Sequence, residues 1–104
     1  MTERLKQLYT LLENDPRDSF ILFAVAKEYE KMQAFPKALQ YYLAIRSQDS
    51  DYVGLYYHLG GLYEKLEDKD TAKSIYNEGL EIAKKLKDFH AASELNNQLM
   101  NIDL

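Results

Sequence analysis

The stretch Leu59-Gly60-Gly61-Leu62-Tyr63 decides the fold of this chain, because its small and aromatic positions return at a fixed distance. Four pairs are matched at one constant interval, namely Ala26 and Gly60, Tyr29 and Tyr63, Ala38 and Ala72, and Tyr42 and Tyr76. Both copies place an aromatic residue three positions after a small one, alanine nine positions later, and a second aromatic residue four positions further on. A period of about 34 residues indicates a repeat of two helices that buries its apolar faces by stacking on its neighbours.

At these residues the chain resembles the tetratricopeptide repeat (TPR) family, since Leu59-Gly60-Gly61-Leu62-Tyr63 is close to the family's Leu-Gly-two residues-Tyr core. The first copy departs from the family pattern, with Leu22 where an aromatic residue is usual and Ala26 where glycine is usual. The resemblance extends over about residues 5–100, and the chain looks similar to short stand-alone bacterial TPR proteins. It implies an all-α fold, a right-handed α-α superhelix of about six antiparallel helices that binds another protein.

Short polar breaks divide the chain without leaving a linker long enough to separate domains, so we predict a single TPR domain over residues 1–104. Its predicted parts are a leading helix (2–14), a first repeat (19–52), a second repeat (53–86) and a C-terminal capping helix (88–101). Breaks this short require neighbouring helices to pack antiparallel.

The predicted helix starts rest on side chains that can cap exposed N–H groups. We predict Asp18 as the cap of the second helix, Ser50 or Asp51 as the cap of a fourth helix over 52–66, and Asp88 as the cap of the last helix. The fifth helix is predicted over 71–86, after a polar turn, and Pro36 suits the first turn of the third.

The periodic small and aromatic residues are predicted to form the core. Gly60 is expected to let the two helices of its repeat approach closely, so that a larger side chain there would overpack the contact. In the last helix, one apolar stripe with a polar back is typical of a terminal capping helix, and this stripe contains Phe89, Ala92, Leu95, Leu99 and Ile102.

The composition excludes several classes of protein. The 104 residues carry 13 basic and 17 acidic side chains, for a formal net charge of −4, and no basic stripe of the kind that binds nucleic acid. No apolar run approaches the roughly 20 residues of a membrane span, and no signal-peptide pattern follows Met1. Because there is no cysteine, disulfides and cysteine-ligated metals are excluded. We therefore expect a cytoplasmic protein with no nucleic-acid or membrane partner.

No arrangement of side chains predicts catalysis, a cofactor or a metal site. His90 and Glu94 lie one helical turn apart and predict a surface ion pair, because no third metal ligand lies near them in sequence. Gly60-Gly61 falls inside a predicted helix, not between a strand and a helix, so it is not a phosphate-binding loop. No nucleophile has a base beside it. We therefore predict a non-enzymatic protein without a cofactor.

The resemblance to TPR proteins implies a concave groove lined by the first helix of each repeat, where a peptide or a partner helix binds. The residues predicted to bind the partner are Phe20, Phe23, Lys27, Lys31, Tyr57, Gly61, Lys65 and Leu95. Exposed aromatic residues are common interface hot spots. The competing interpretation is that Phe20 and Phe23 pack beneath the first helix and that Gly61 is incidental.

The predicted function is that of an adaptor or scaffold that binds a protein or peptide of unknown identity. One TPR subtype clamps a terminal carboxylate, but of the corresponding residues only Lys27 could serve here, so we predict no such clamp. One alternative is a homodimer formed through Tyr41, Tyr52, Tyr56 or Tyr57. Another is a chaperone-like protein for a specific client, although lysines interrupt the apolar groove that a chaperone would need.

Overall fold

The computed structural model describes all residues from Met1 to Leu104, and it contains six α-helices and no strand. The helices are α1 (Glu3–Asn14), α2 (Ser19–Lys31), α3 (Phe35–Gln48), α4 (Gly54–Lys65), α5 (Lys69–Leu86) and α6 (Phe89–Asn101). The predicted all-α class and the number of helices are confirmed.

The helices belong to two compact units, Met1–Tyr52 and Val53–Leu104. In the first unit, α2 packs against both α1 and α3; in the second, α5 packs against α4 and α6. The division falls where the predicted first repeat ends and the second begins. That residues 1–104 form a single TPR domain, with the four parts given above, stays a prediction.

Aspartates begin three of the helices. The side chain of Asp18 accepts a hydrogen bond from the backbone N–H of Ile21 (3.0 Å), and that of Asp88 accepts one from Ala91 (3.0 Å), so both predicted caps are confirmed. Asp68 caps α5 in the same way, and hydrogen bonds from Thr71 hold the pKa of its carboxyl below the usual range. Because Asp68 caps the helix, α5 begins at Lys69, two residues before the predicted start.

The predicted start of α4 is wrong. Neither Ser50 nor Asp51 caps this helix, which begins at Gly54 after Val53 and has no side-chain cap. The reason is a separate turn, closed by a hydrogen bond from the Tyr52 N–H to the Asp49 carbonyl (3.0 Å). This turn occupies the residues between α3 and α4, so the helix starts beyond the reach of both predicted caps.

The first helix of each repeat ends in the same way. Gln33 after α2 and Glu67 after α4 both have positive φ, 60° and 61°, and they occupy the same position of the two repeats. The next N–H in each case bonds back to the carbonyl of Tyr29 or Tyr63, at 2.9 Å. This hydrogen-bonding pattern is a Schellman cap, in which a left-handed residue lets the chain turn back after the last helical residue. The repeat therefore extends to backbone geometry.

The core of the first unit combines aliphatic side chains with tyrosines. Tyr42 is fully buried, and its hydroxyl donates to Glu30 Oε1 at 2.8 Å. The Tyr9 hydroxyl lies 2.8 Å from those of both Tyr29 and Tyr41, which links α1 to α2 and α3. The buried residues of this unit are Leu5, Leu8, Leu22, Val25, Ala26, Tyr29, Ala38, Tyr42 and Ile45.

The core of the second unit depends on two glycines that face tyrosine side chains. A Cβ added at Gly60 would lie 2.3 Å from Cε1 of Tyr76, closer than any real contact. This confirms that the position requires a minimal side chain. A Cβ at Gly79 would lie 2.3 Å from Cβ of Tyr56, a constraint that the repeat pattern does not reveal. The Tyr76 hydroxyl donates to Glu64, which repeats the bond between Tyr42 and Glu30 one period later.

Candidate partner-binding surface

Three of the predicted partner-binding residues meet in the first unit. Phe20, Phe23 and Lys27 line one shallow cavity of about 260 Å³. Its other lining residues are Arg4, Ala24 and Glu28, so α1 contributes one wall and α2 the remainder. The cavity thus combines aromatic surface with charged side chains at its edge.

The local sequence explains why these side chains face outward. The Asp18 cap starts α2 just before Phe20, and residues three and seven positions after Phe20 share its face of the helix. The opposite face carries the buried residues of α2, namely Leu22, Val25, Ala26 and Tyr29. Once the core side chains pack inward, Phe20 is left 71% exposed.

The ring of Phe23 is held in place by its neighbours. It is half-buried, with its centroid 5.9 Å from that of Tyr42 and 5.5 Å from that of Tyr52. The Lys27 ammonium lies 5.6 Å from the centroid of the same ring, a cation–π distance. Phe23 therefore presents a preorganised aromatic ring to the cavity, whereas Phe20 is largely exposed beside it.

Positively charged side chains outnumber negatively charged ones around this cavity. Arg4 Nε lies 3.7 Å from Oε1 of Glu28, whose side chain is only 16% exposed. Lys27 is exposed and makes no ion pair. Two cations therefore face one carboxylate, and that carboxylate already has a partner. The edge of the cavity is positive although the chain carries a net charge of −4.

The remaining predicted residues on α2 and α4 are accessible, but they do not line this cavity. Lys31 is exposed at the end of α2, and Lys65 is exposed at the end of α4. Tyr57 is 38% exposed, with its ring centroid 5.4 Å from that of His58. A Cβ added at Gly61 would meet only the Tyr76 hydroxyl, at 3.9 Å, so this glycine has no packing requirement of its own.

Leu95 is the exception among the predicted residues. Its side chain is 1% exposed, and its Cδ1 would lie 3.1 Å from a Cβ added at Gly79. The prediction that Leu95 contacts a partner is therefore corrected, because this side chain is part of the core of the second unit. Helix α6 instead exposes Phe89, which is 75% accessible and belonged to the predicted buried stripe.

Two charged residues of the cavity, Arg4 and Glu28, were not predicted. They lie on different helices, far apart in the sequence, and no local pattern relates them. Among the tyrosines considered for a homodimer, Tyr56 is fully buried and Tyr41 is hydrogen-bonded to Tyr9. His90 Nε2 lies 3.3 Å from Oε1 of Glu94, as expected for side chains one helical turn apart.

No group of three or more histidines, cysteines, aspartates or glutamates is arranged to hold a metal ion. None of the six helices combines the length and the apolar character needed to span a bilayer.

Comparison with solved structures identifies relatives of this fold. A crystal structure of a tetratricopeptide repeat domain protein from Salinibacter ruber is 36% identical over 83% of this chain and 96% of that chain, with a TM-score of 0.78. A solution structure of a TPR domain protein from the same organism is 38% identical over 85% and 89%, with a TM-score of 0.81. PcrH, solved in complex with the chaperone binding region of PopD, is 18% identical over 95% and 75%, with a TM-score of 0.84. No protein-family model and no curated protein sequence matches the chain.

These likenesses first define a class, an all-α helical repeat of the α-α superhelix type, as predicted. The likeness to the two Salinibacter ruber structures goes further than the fold, because more than a third of the residues are identical over most of each chain. The chain belongs to the tetratricopeptide repeat family. Proteins of this family are typically non-catalytic interaction modules, which supports the same class of function here.

Proposed function

We propose that this protein is a non-enzymatic adaptor or scaffold that binds a segment of a partner protein through the exposed face of α2. The observation that carries the proposal is the cavity of the first unit, where Phe20 is largely exposed, Phe23 is held by two tyrosine rings and Lys27 has no ion-pair partner. Aromatic anchors beside accessible charge are typical of interface hot spots.

The exposed face of α4 is proposed as a partner-binding surface of the second unit. Tyr57 and Lys65 are accessible on this helix, and Gly61 leaves room for the backbone of a bound segment. Tyrosine suits such a position, because it supplies apolar area together with a hydroxyl that can form a hydrogen bond. The proposed partner is a protein or peptide, and the proposed compartment is the bacterial cytoplasm.

Two lines of support come from the relatives. Membership of the TPR family favours an interaction module over an enzyme, although a fold by itself does not determine function. PcrH, whose fold is similar, was solved with the chaperone binding region of PopD. A role as a chaperone-like protein for one client is therefore the second candidate, and it would use the same surface.

The test is capture of partners from the native host with the single variant Phe20→Ala. Because this side chain is 71% exposed, its removal should leave the helical circular dichroism spectrum and the melting temperature unchanged. Phe89→Ala is the matched control, since Phe89 is 75% exposed and lies on α6. We expect partners of the wild type to be lost with Phe20→Ala and kept with Phe89→Ala. Retention by both variants would refute the assignment of the α2 surface.

A mass measurement separates this proposal from the homodimer alternative. Sedimentation at high protein concentration should give the monomer mass of 12.2 kDa for the wild type. A doubled mass that returns to the monomer value in Phe20→Ala would mean that a second copy occupies the surface instead of a partner.

A further inference from the structure

We infer that the cavity of the first unit selects segments in which an acidic side chain lies within one or two residues of a large apolar side chain. The inference rests on the proposed function, because it assigns a ligand chemistry to the same surface. The carboxylate meant here belongs to a side chain inside the segment and not to a chain terminus. The recognising groups are Phe20 and Phe23 for the apolar side chain, and Lys27 with Arg4 for the acid.

Charge at the cavity edge determines the sign of the ligand. Glu28 is mostly covered and lies next to Arg4, so it offers little attraction to a basic ligand. Lys27 has no carboxylate partner, and Arg4 remains 59% exposed beside its own. An acidic side chain therefore meets two accessible cations. A basic side chain would meet the same two cations and be repelled.

Distance sets the spacing of the two groups in the ligand. The Lys27 ammonium lies 5.6 Å from the centroid of the Phe23 ring, so the acid and the apolar side chain must bind close together. An extended chain advances about 3.3 Å per residue, and one or two residues therefore cover this separation. Binding of the acid would also leave Lys27 over the ring, so the cation–π contact need not be broken.

The corresponding positions of the second repeat show that this combination is particular to the first. Gly54 and Gly61 stand where the first repeat has Phe20 and Lys27, and Leu62 stands where it has Glu28. Only Tyr57, in the place of Phe23, keeps an aromatic side chain. We therefore expect one such site per chain.

The probe is a library of random ten-residue segments displayed inside a carrier protein, so that no peptide offers a free C-terminal carboxylate. Four proteins would be used to select from it: the wild type, Lys27→Glu, Phe20→Ala and Lys37→Glu. Lys37→Glu is the matched charge control, because Lys37 is an exposed lysine of the same unit that does not line the cavity.

The expected result is enrichment by the wild type of segments with Asp or Glu within one or two residues of Phe, Leu, Met or Trp. Lys27→Glu should enrich Lys or Arg at that place, Lys37→Glu should match the wild type, and Phe20→Ala should lose the enrichment. Segments that depend on Phe20 but show no excess of acidic residues would overturn this inference and leave the proposed function standing. No segment that depends on Phe20 would overturn both.

A synthetic peptide from the selection, acetylated and amidated at its ends, then measures how much the acidic side chain contributes to affinity. Changing its Asp to Asn should weaken binding about two- to fivefold at low salt, as expected for an accessible ion pair. The difference should shrink as ionic strength rises. The most decisive measurement reverses the charge on both partners. The variant Lys27→Glu should bind the Asp→Lys peptide better than the original peptide. Equal affinities for both peptides would contradict the inference.

Discussion

Helices α2 and α4 have the same core residues in register but different surfaces. Facing inward, Ala26 and Gly60 both keep a small side chain, and each repeat joins a tyrosine of its second helix to a glutamate of its first. Facing outward, the Phe20 and Lys27 positions of α2 become glycines in α4. The repeat period is therefore a constraint on packing, which leaves the exposed positions free to differ between repeats.

A second difference lies inside the core. Tyr56 of the second repeat packs against Gly79, whereas Leu22 and Ile45 occupy the corresponding positions of the first repeat, and both are buried. The second repeat thus pairs a large side chain with a glycine, whereas the first repeat pairs two side chains of intermediate size. Cores accept such exchanges when the total volume is kept.

The largest predicted effect on stability comes from placing the isoleucine of the first repeat in the core of the second. Gly79→Ile would place the side chain of the first repeat against Tyr56, where even a Cβ lies at 2.3 Å. We expect this overpacking to lower the free energy of unfolding by about 3 kcal/mol. Denaturant unfolding followed by circular dichroism measures it.

The double variant Tyr56→Leu/Gly79→Ile rebuilds the pair found in the first repeat. It should be more stable than the sum of the two single changes implies, with a coupling of about 1–3 kcal/mol. If the losses in free energy of unfolding simply add, the two side chains do not compensate each other's volume.

Alanine substitutions at two adjacent glycines should change the stability by the next largest amounts, in opposite directions. Gly60→Ala should destabilise the protein by about 2 kcal/mol, because the new Cβ clashes with the Tyr76 ring. Gly61→Ala should stabilise it by about 0.5–1 kcal/mol, since alanine favours the helix and meets only ordinary contact distances. Thermal melts of the two variants make the comparison, and a loss of stability in Gly61→Ala would mean that this position has a packing role.

The two bonds from tyrosine to glutamate should be similar in strength. Tyr42→Phe and Tyr76→Phe should each cost about 1–2 kcal/mol, because each removes the hydrogen bond from a tyrosine hydroxyl to a glutamate. The measurement is chemical denaturation at neutral pH. A large difference between the two variants would show that the repeats do not share this bond equally.

The same bonds predict a dependence on alkaline pH. Burial and the hydrogen bond to glutamate raise the pKa of both hydroxyls above the ordinary value of 10.0. In the unfolded chain the tyrosines ionise near pH 10, while in the folded protein they stay protonated. The stability they contribute is therefore complete below pH 10 and lost as the pH rises above it. Tyr42→Phe/Tyr76→Phe should show a smaller alkaline loss than the wild type.

The fold could be predicted in detail because it rests on positions that repeat. The spacing of Ala26, Tyr29, Gly60 and Tyr63 gave the class, and the aspartate caps gave two helix starts. The start of α4 could not be predicted in this way, because a turn closed between Tyr52 and Asp49 separates the polar residues from the helix.

The candidate site could be predicted only in part. Phe20, Phe23 and Lys27 share one helical face, so helical periodicity sufficed to group them. Arg4 joins them only through the packing of α1 on α2, which no local pattern encodes. The register places Leu95 on the partner-binding surface, although its apolar stripe also fits the core, and in the structure its side chain packs in the core beside Gly79. Helical periodicity therefore predicts which residues share a face of one helix, but not which residues of different helices come into contact.

The last prediction transfers the surface of α2 to α4. Gly54→Phe/Gly61→Lys restores the two missing side chains beside Tyr57, and neither glycine has a close neighbour that would block a Cβ. We expect calorimetry with the selected peptide to show a second, weaker site, about two- to fivefold below the first because α4 has no counterpart of Arg4. Gly54→Phe/Gly61→Glu, with the opposite charge, is the control and should keep one site. A single site in both variants would mean that the wall supplied by α1 is indispensable and that the difference between the repeats reaches beyond their exposed helical faces.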